Sequence, residues 1–373
     1  MKENHTPKIG LFVVSLDGER TDYAKKFENE ARPMLQARGV EILNKPGLVM
    51  DTPSLVEAAK AAQAAGADAV VFLIGTWILA DGVVTAAQQL CIPYAVWGVP
   101  EPVSFSSVGA NVVHGAMCEM DMPHKLLYGN PTDEALGAEL IAFLRAAMVK
   151  ARLKRARFGL IGGRAISAYT TTADFNQIKA TFGIEVDHID QMVVLERARA
   201  IPDEEARKAI GLLGGRCDAA EEMLLKSAKT YLAIEAVKRE YSLDMASVKC
   251  LGEFINTYSC CCMAVTLEND AGFTMSCQGD VNATITMHIL RLLGGGASFF
   301  GDISTVMYRD GEIRTINCGA VPTVLAADPE SVPWVEQYEY MGAGRGVNPV
   351  FCMKGGPVTF SYLGRRKGQY QLL

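Results

Sequence analysis

The stretch Asp68-Ala-Val-Val-Phe-Leu-Ile-Gly-Thr-Trp77 decides how the amino-terminal part of the chain is read. Positions 69–74 are apolar without a break, so both faces of a strand there would be greasy. A strand with one wet face alternates; an unbroken run demands a sheet covered on both sides. The neighbours supply the cover. Residues 53–65 form an alanine-rich helical pattern, with Pro53 in its first turn and Gly66 just past its end. Residues 81–90 predict another helix and 94–97 another strand. Upstream, 9–15 is a second buried strand, 22–38 an amphipathic helix ended by Gly39, and 40–43 a short strand. Repeated strand–helix alternation predicts a parallel sheet with helices on both faces. The segment 99–130, rich in Gly, Pro, Ser and Met, is expected to be irregular. A long helix over 133–151 then leads into a second domain.

A second α/β series begins with a strand at 157–161. Helices are expected at 173–182, 204–213, 219–241, 254–267 and 279–293. Strands are expected at 184–186, 247–251, 272–277 and 297–303. From Gly311 onward, short strand-like pieces alternate with Gly, Pro and Asp. The fold class is therefore α/β: two doubly wound, Rossmann-like domains over 1–155 and 156–310, then a β-rich domain over 311–373. The chain stops inside an apparent strand at Tyr370-Gln-Leu-Leu373, which reads as a truncated carboxyl-terminal domain. Gly159, Gly162 and Gly163 lack the GxGxxG spacing, so no dinucleotide site is assigned.

Composition narrows the function classes. Over 373 residues, 36 basic side chains stand against 42 acidic ones, a net charge of −6 that argues against a nucleic-acid partner. The basic cluster from Arg152 to Arg157 reads as a solvated helix end. No apolar run reaches the ~20 residues of a membrane helix, and the opening MKENHTPKIG lacks a signal peptide's apolar core. The expectation is a cytoplasmic protein with ten free thiols. Consecutive Cys260, Cys261 and Cys262 are expected within a helix, as small core residues and not as metal ligands.

Two strand ends deliver carboxylates. Val248-Lys249-Cys250-Leu251-Gly252-Glu253 carries an acid just past an apolar strand, and Cys277-Gln278-Gly279-Asp280 carries one at the opening of a helix. Ligands of α/β sheets collect at the carboxyl ends of strands, so the two acids can converge although 27 positions apart. Each also has a plainer reading, Asp280 as a helix cap and Glu253 as a solvated loop residue.

The segment from Lys249 through Asp302 resembles the L-fucose/L-arabinose isomerase superfamily, most closely its fucose isomerase branch. The resemblance rests on Lys249…Glu253 and on Gly279-Asp280-Val-Asn-Ala-Thr-Ile-Thr-Met287. Gly75-Thr-Trp77, Trp97-Gly-Val-Pro-Glu-Pro102 and Asn317-Cys-Gly319 extend it in order along the chain. It implies a divalent metal, usually Mn²⁺, with Glu253 and Asp280 as its ligands and as the catalytic acid/base pair. It implies aldose–ketose isomerisation of a small sugar through an enediol, and a homo-oligomer, hexamer or trimer, with active sites near subunit contacts. Trp77, Arg164 and Gln278 are the candidate substrate-binding residues, Gln278 standing where many relatives carry Glu. The family's third metal ligand is a carboxyl-terminal His, yet the five histidines here, at 5, 114, 124, 188 and 288, all precede that region. His288 is expected on a helix surface, too far from Asp280 to substitute. His114 and His124 flank a Met-rich loop expected at the surface, Asp302 is a candidate outer partner of the site, and Arg365-Arg-Lys367 are expected in a β-turn. The alternative is a non-catalytic sugar-binding protein on the same scaffold.

Overall fold

The computed structural model describes residues 6–338 and 345–373; His5 lies outside the described residues. The described chain forms two compact units, one ending at Arg152 and one beginning at Leu153.

In the first unit the strands are β1 (Lys8–Val14), β2 (Glu41–Ile42), β3 (Leu48–Val49), β4 (Ala69–Ile74), β5 (Tyr94–Gly98) and β6 (Lys125–Tyr128). The helices are α1 (Thr21–Ala37), α2 (Thr52–Ala64), α3 (Ala80–Gln88), α4 (Ser106–Glu119) and α5 (Glu134–Leu153). The sheet order is β2-β1-β4-β5-β6, with β3 also on β1, and every pairing is parallel. Its central strand is the apolar run quoted above. Ala69, Val71 and Leu73 face a core shared with α1 and α5, while Val70, Phe72 and Ile74 face one shared with α2, α3 and α4. Chain direction across the sheet reverses between β1 and β4, which opens a crevice at their carboxyl ends. Gly75 fits there because a β-carbon would meet Ala24 at 2.5 Å.

The segment expected to be irregular holds α4 and β6 instead. Weak amphipathy and two helical glycines hide α4, and the structure shows why a glycine is needed. A β-carbon on Gly109 would approach the Thr76 carbonyl oxygen at 2.9 Å, so the helix packs by close backbone approach.

In the second unit, β7 (Arg157–Ile161), α6 (Phe175–Phe182), β8 (Glu185–Ile189), α7 (Gln191–Ala200), α8 (Asp203–Ile210), β9 (Cys217–Asp218), α9 (Glu221–Glu240) and β10 (Met245–Val248) come first. Next are α10 (Glu253–Thr257), α11 (Cys262–Asp270), β11 (Thr274–Cys277) and α12 (Val281–Gly294). The parallel sheet runs β11-β10-β7-β8, the same winding as in the first unit, with its reversal between β7 and β10. Small sheets complete the unit. They are the hairpins β12 (Asp302–Met307)/β13 (Glu312–Ile316) and β16 (Leu363–Arg366)/β17 (Gln369–Leu372), and β14 (Trp334–Glu336) lying between β9 and β15 (Val347–Pro349).

Five expectations need correction here. The helix drawn over 254–267 is two helices, broken where Ser259 and Cys260 bond the Arg345 carbonyl. Cys260 and Cys261 therefore precede α11, although all three cysteines are buried as core residues. The strand over 297–303 is the exposed hairpin strand β12, which leaves the parallel sheet. His288 is buried, bonded to the Thr274 hydroxyl at 3.1 Å, because α12 turns that side toward β11. Arg365 and Arg366 lie within β16; only Lys367 and Gly368 form the turn, both with positive φ. The helix α7 went unread, its last turn rich in arginine. All ten cysteines are free, and among the described residues no helix is long and apolar enough to cross a membrane.

Candidate active site

Three loops leave the carboxyl edge of the second sheet at adjacent strands β7, β10 and β11, and they touch. A β-carbon on Gly279 would fall 1.9 Å from the Gly163 carbonyl oxygen, so no other residue fits between the first loop and the third. Its φ of +65° adds to that requirement. Ala165 N–H donates to the Gln278 carbonyl at 3.3 Å, and Gly279 N–H donates to the carbonyl of Val248, the last residue of β10, at 3.1 Å. The winding reversal thus brings the Arg164, Glu253 and Asp280 loops onto one edge.

Asp280 caps α12. Its Oδ1 accepts from Ala283 N–H at 2.8 Å. Below it a ladder of buried hydroxyls anchors the helix start: Ser247 to Ser276 at 2.7 Å, Ser276 to Thr284 at 2.7 Å, and Thr284 to the Asp280 carbonyl at 2.6 Å. Burial pushes the Asp280 carboxyl above the usual range, against the pull of the Ala283 and Asn282 amides, and the nearby Asp302 carboxylate pushes the same way. Asp280 is thus a cap and a half-buried acid at once. Glu253 opens α10 after Gly252, whose φ is +94°. Its side chain is 68% exposed and pairs with Lys249 at 2.6 Å, which holds its carboxyl below the usual range.

Gln278 sits between Cys277 and Gly279 at a φ of +64°, half-buried. Arg164 is exposed, its guanidinium 4.8 Å from the centre of the Tyr169 ring. Ile166 and Ser167 in the same loop also have positive φ. Trp77 belongs to the first unit, half-buried at the crevice edge of that sheet, its N–H bonded to the Ser104 carbonyl at 2.9 Å.

Sequence reasoning missed Asn317 as an organiser of this edge, although it had singled out the Asn317-Cys-Gly319 segment. Its Oδ1 accepts from Gly319 and Ala320 N–H, and its Nδ2 donates to the Phe300 carbonyl and reaches Cys277 Sγ at 3.8 Å. Beside it lies a cavity of about 320 Å³ lined by Asn317, Cys318, Gly319, Gln337, Asn348 and Phe351 among others. Neither Glu253 nor Asp280 lines that cavity.

The donor chemistry of the edge suits a hard divalent cation. It offers carboxylate oxygens from Glu253 and Asp280, with Asp302 close to the latter. A cation would relieve the repulsion between Asp280 and Asp302. Loops at adjacent strand ends, each carrying an acid, make this edge a candidate small-molecule site of an α/β protein.

Comparison with known proteins gives that class a reaction. The chain is 24% identical over 379 residues to the sulfoquinovose isomerase of Alkalicoccus urumqiensis, covering 95% of this chain and 81% of that protein. It is 23% identical over 330 residues to the sulfoquinovose isomerase of Priestia aryabhattai, covering 82% and 70%. No family model matches the chain. Among solved structures, a D-allose-bound periplasmic solute-binding protein from Actinobacillus succinogenes aligns over 79% of this chain and 93% of its own, at 13% identity. Its TM-score of 0.22 is too low to carry an argument. The chain is an aldose–ketose isomerase, related to sugar isomerases of this kind.

Proposed function

We propose that the chain is a metal-dependent, fucose-isomerase-like enzyme that interconverts an aldose and a ketose through an enediol at the carboxyl edge of the second sheet. The observation that carries this reading is the meeting of the three loops at the winding reversal, with Glu253 and Asp280 on one edge. A divalent cation, Mn²⁺ being the family's usual one, would be held by these two carboxylates and would polarise the sugar carbonyl and acidify the adjacent C–H.

The chain's own groups then do the proton work. A carboxylate takes the proton from C2 of the open-chain aldose. The released electron pair forms the C1–C2 double bond of the enediol, and O1 is protonated. Return of the proton to C1, with loss of the O2 proton, gives the ketose. Lys249 keeps Glu253 ionised and aimed, and the Ala283 amide fixes Asp280. Gln278 is a neutral hydrogen-bonding partner for a hydroxyl there; Trp77 lies in the first unit and is a candidate sugar-stacking residue for a neighbouring subunit's site, as the family resemblance implies.

The relatives' names suggest the substrate class: a hexose bearing a sulfonate at its far end. Arg164 suits that group. It is exposed on the loop after β7, on the same edge as the acids, and its planar cation matches a tetrahedral oxyanion. The test is steady-state kinetics of Glu253→Gln and Asp280→Asn. Each is expected to lower kcat by ~10²-fold or more while leaving the circular dichroism unchanged; wild-type turnover in either would exclude that residue from the reaction.

A further inference from the structure

The first unit carries a second cluster of metal-binding chemistry that isomerisation does not use. His114, Cys118 and His124 bring one ring nitrogen, one thiol and one ring nitrogen within 4.8 Å of one another. Their placement follows from helix geometry. His114 and Cys118 are four residues apart on α4, so they share a face. The helix ends at Glu119, Asp121 just beyond it reverses the chain with a φ of +50°, and Met122 N–H closes the turn on the Met117 carbonyl at 2.9 Å. That reversal returns His124 to the face of the other two before β6 begins.

We propose that His114, Cys118 and His124 form a binding site for a thiophilic divalent d-block ion of the zinc type, separate from the carboxylate site. Three observations support it. The first is the orientation of His124. Its Nδ1 lies 2.7 Å from the Met122 carbonyl, which can only accept, so Nδ1 carries the proton and Nε2 offers a lone pair to the cluster. Metal-binding imidazoles are held in this way by backbone carbonyls. The second is the spacing. A tetrahedral zinc ion with ~2.05 Å bonds to nitrogen and ~2.3 Å to sulfur sets N and S about 3.6 Å apart and two nitrogens about 3.3 Å apart. Cys118 Sγ lies 3.6 Å from His114 Nδ1, matching the first distance. With Nε2 of His124 unprotonated, His114 Nδ1–H donates to it at 2.7 Å. A metal in place of that proton requires the His114 proton to move to its Nε2, the Cys118 thiol to release its proton to solvent, and the two nitrogens to part by ~0.6 Å, which side-chain rotation at a half-buried surface supplies. The third is the donor type. One thiolate and two imidazoles select zinc, cobalt, nickel or copper over Mn²⁺ or Mg²⁺, the reverse of the preference of Glu253 and Asp280. The ion would tie the last turn of α4 to the segment that enters β6, with a fourth position left to solvent.

The experiment is a Co²⁺ titration of the reduced, chelator-stripped full chain. A thiolate-to-cobalt charge-transfer band saturating at one equivalent is expected, and one equivalent of Zn²⁺ should bleach it. Cys118→Ser is expected to abolish the band, and His124→Ala to weaken Co²⁺ binding at least tenfold. Glu253→Gln should retain both band and stoichiometry. Because Cys118 is exposed, its substitution leaves the fold intact, which circular dichroism verifies. A wild-type chain without a thiolate band, or a band that survives in Cys118→Ser, overturns the site. Cobalt bound without such a band would report the carboxylate edge alone and would equally overturn it.

Discussion

At the scale of single residues, the candidate site rests on side chains that serve structure as well as chemistry. Asp280 satisfies a free amide at the start of α12 and stands at a loop junction where only Gly279 fits against Gly163. The plain reading of Asp280 as a cap is therefore met, and it is compatible with the chemical role proposed for it. Glu253 is the opposite case, exposed and held by one lysine. The sequence placed both on a strand-end edge because an apolar run followed by Gly and an acid is a local signal. It was silent on Asn317 as organiser, whose importance comes from contacts with Phe300 and Cys277 that only the folded chain brings near. Arg164 carries a prediction at this scale. If it receives a sulfonate, Arg164→Ala should raise KM for sulfoquinovose by ~10- to 100-fold, the loss of a charged hydrogen bond, with a smaller effect on kcat. An unsulfonated aldose should show no such rise, and equal rises for both sugars would remove the anion role.

Elements were legible where pattern and environment agree. The buried strands β1, β4, β5 and β7 stand out as apolar runs, because each is covered on both faces. The failures share a cause, namely packing that leaves no periodic trace. Helix α4 is glycine-containing and weakly amphipathic, and the break between α10 and α11 is made by bonds to Arg345, remote in sequence. Between α9 and α11 lies a buried group with a measurable consequence. Glu268 is fully buried, bonded to Lys238 at 2.6 Å and adjacent to Glu235. Burial pushes its carboxyl from the ordinary 4.5 up to about 8. A carboxyl raised in the folded state binds its proton more tightly there than when unfolded. Its contribution to stability is therefore fully present below about 4.5 and is lost as the pH rises through about 8. Denaturant midpoints of wild type should fall across that window, while Glu268→Gln, neutral at every pH, should show a flatter profile. Parallel profiles for the two would contradict this account of the α9–α11 packing.

At the scale of the whole chain, two parallel sheets are wound alike, each with its reversal beside the first strand of its unit. That winding explains why residues from three separated segments meet on one edge without any repeat or motif to announce it. Alternation of strands and helices made the α/β class legible. The strand order was not legible, because nothing in a run of apolar residues says which neighbour it will take. The reaction proposed for the second sheet's edge is tested most directly by proton nuclear magnetic resonance of the wild-type chain, supplied with Mn²⁺, turning over sulfoquinovose and a panel of neutral aldoses in D₂O. The account predicts ketose with deuterium gained at C1, and loss of both product and label in Glu253→Gln and Asp280→Asn. Ketose that forms at the wild-type rate in both variants, or that carries no solvent deuterium at C1, would contradict it.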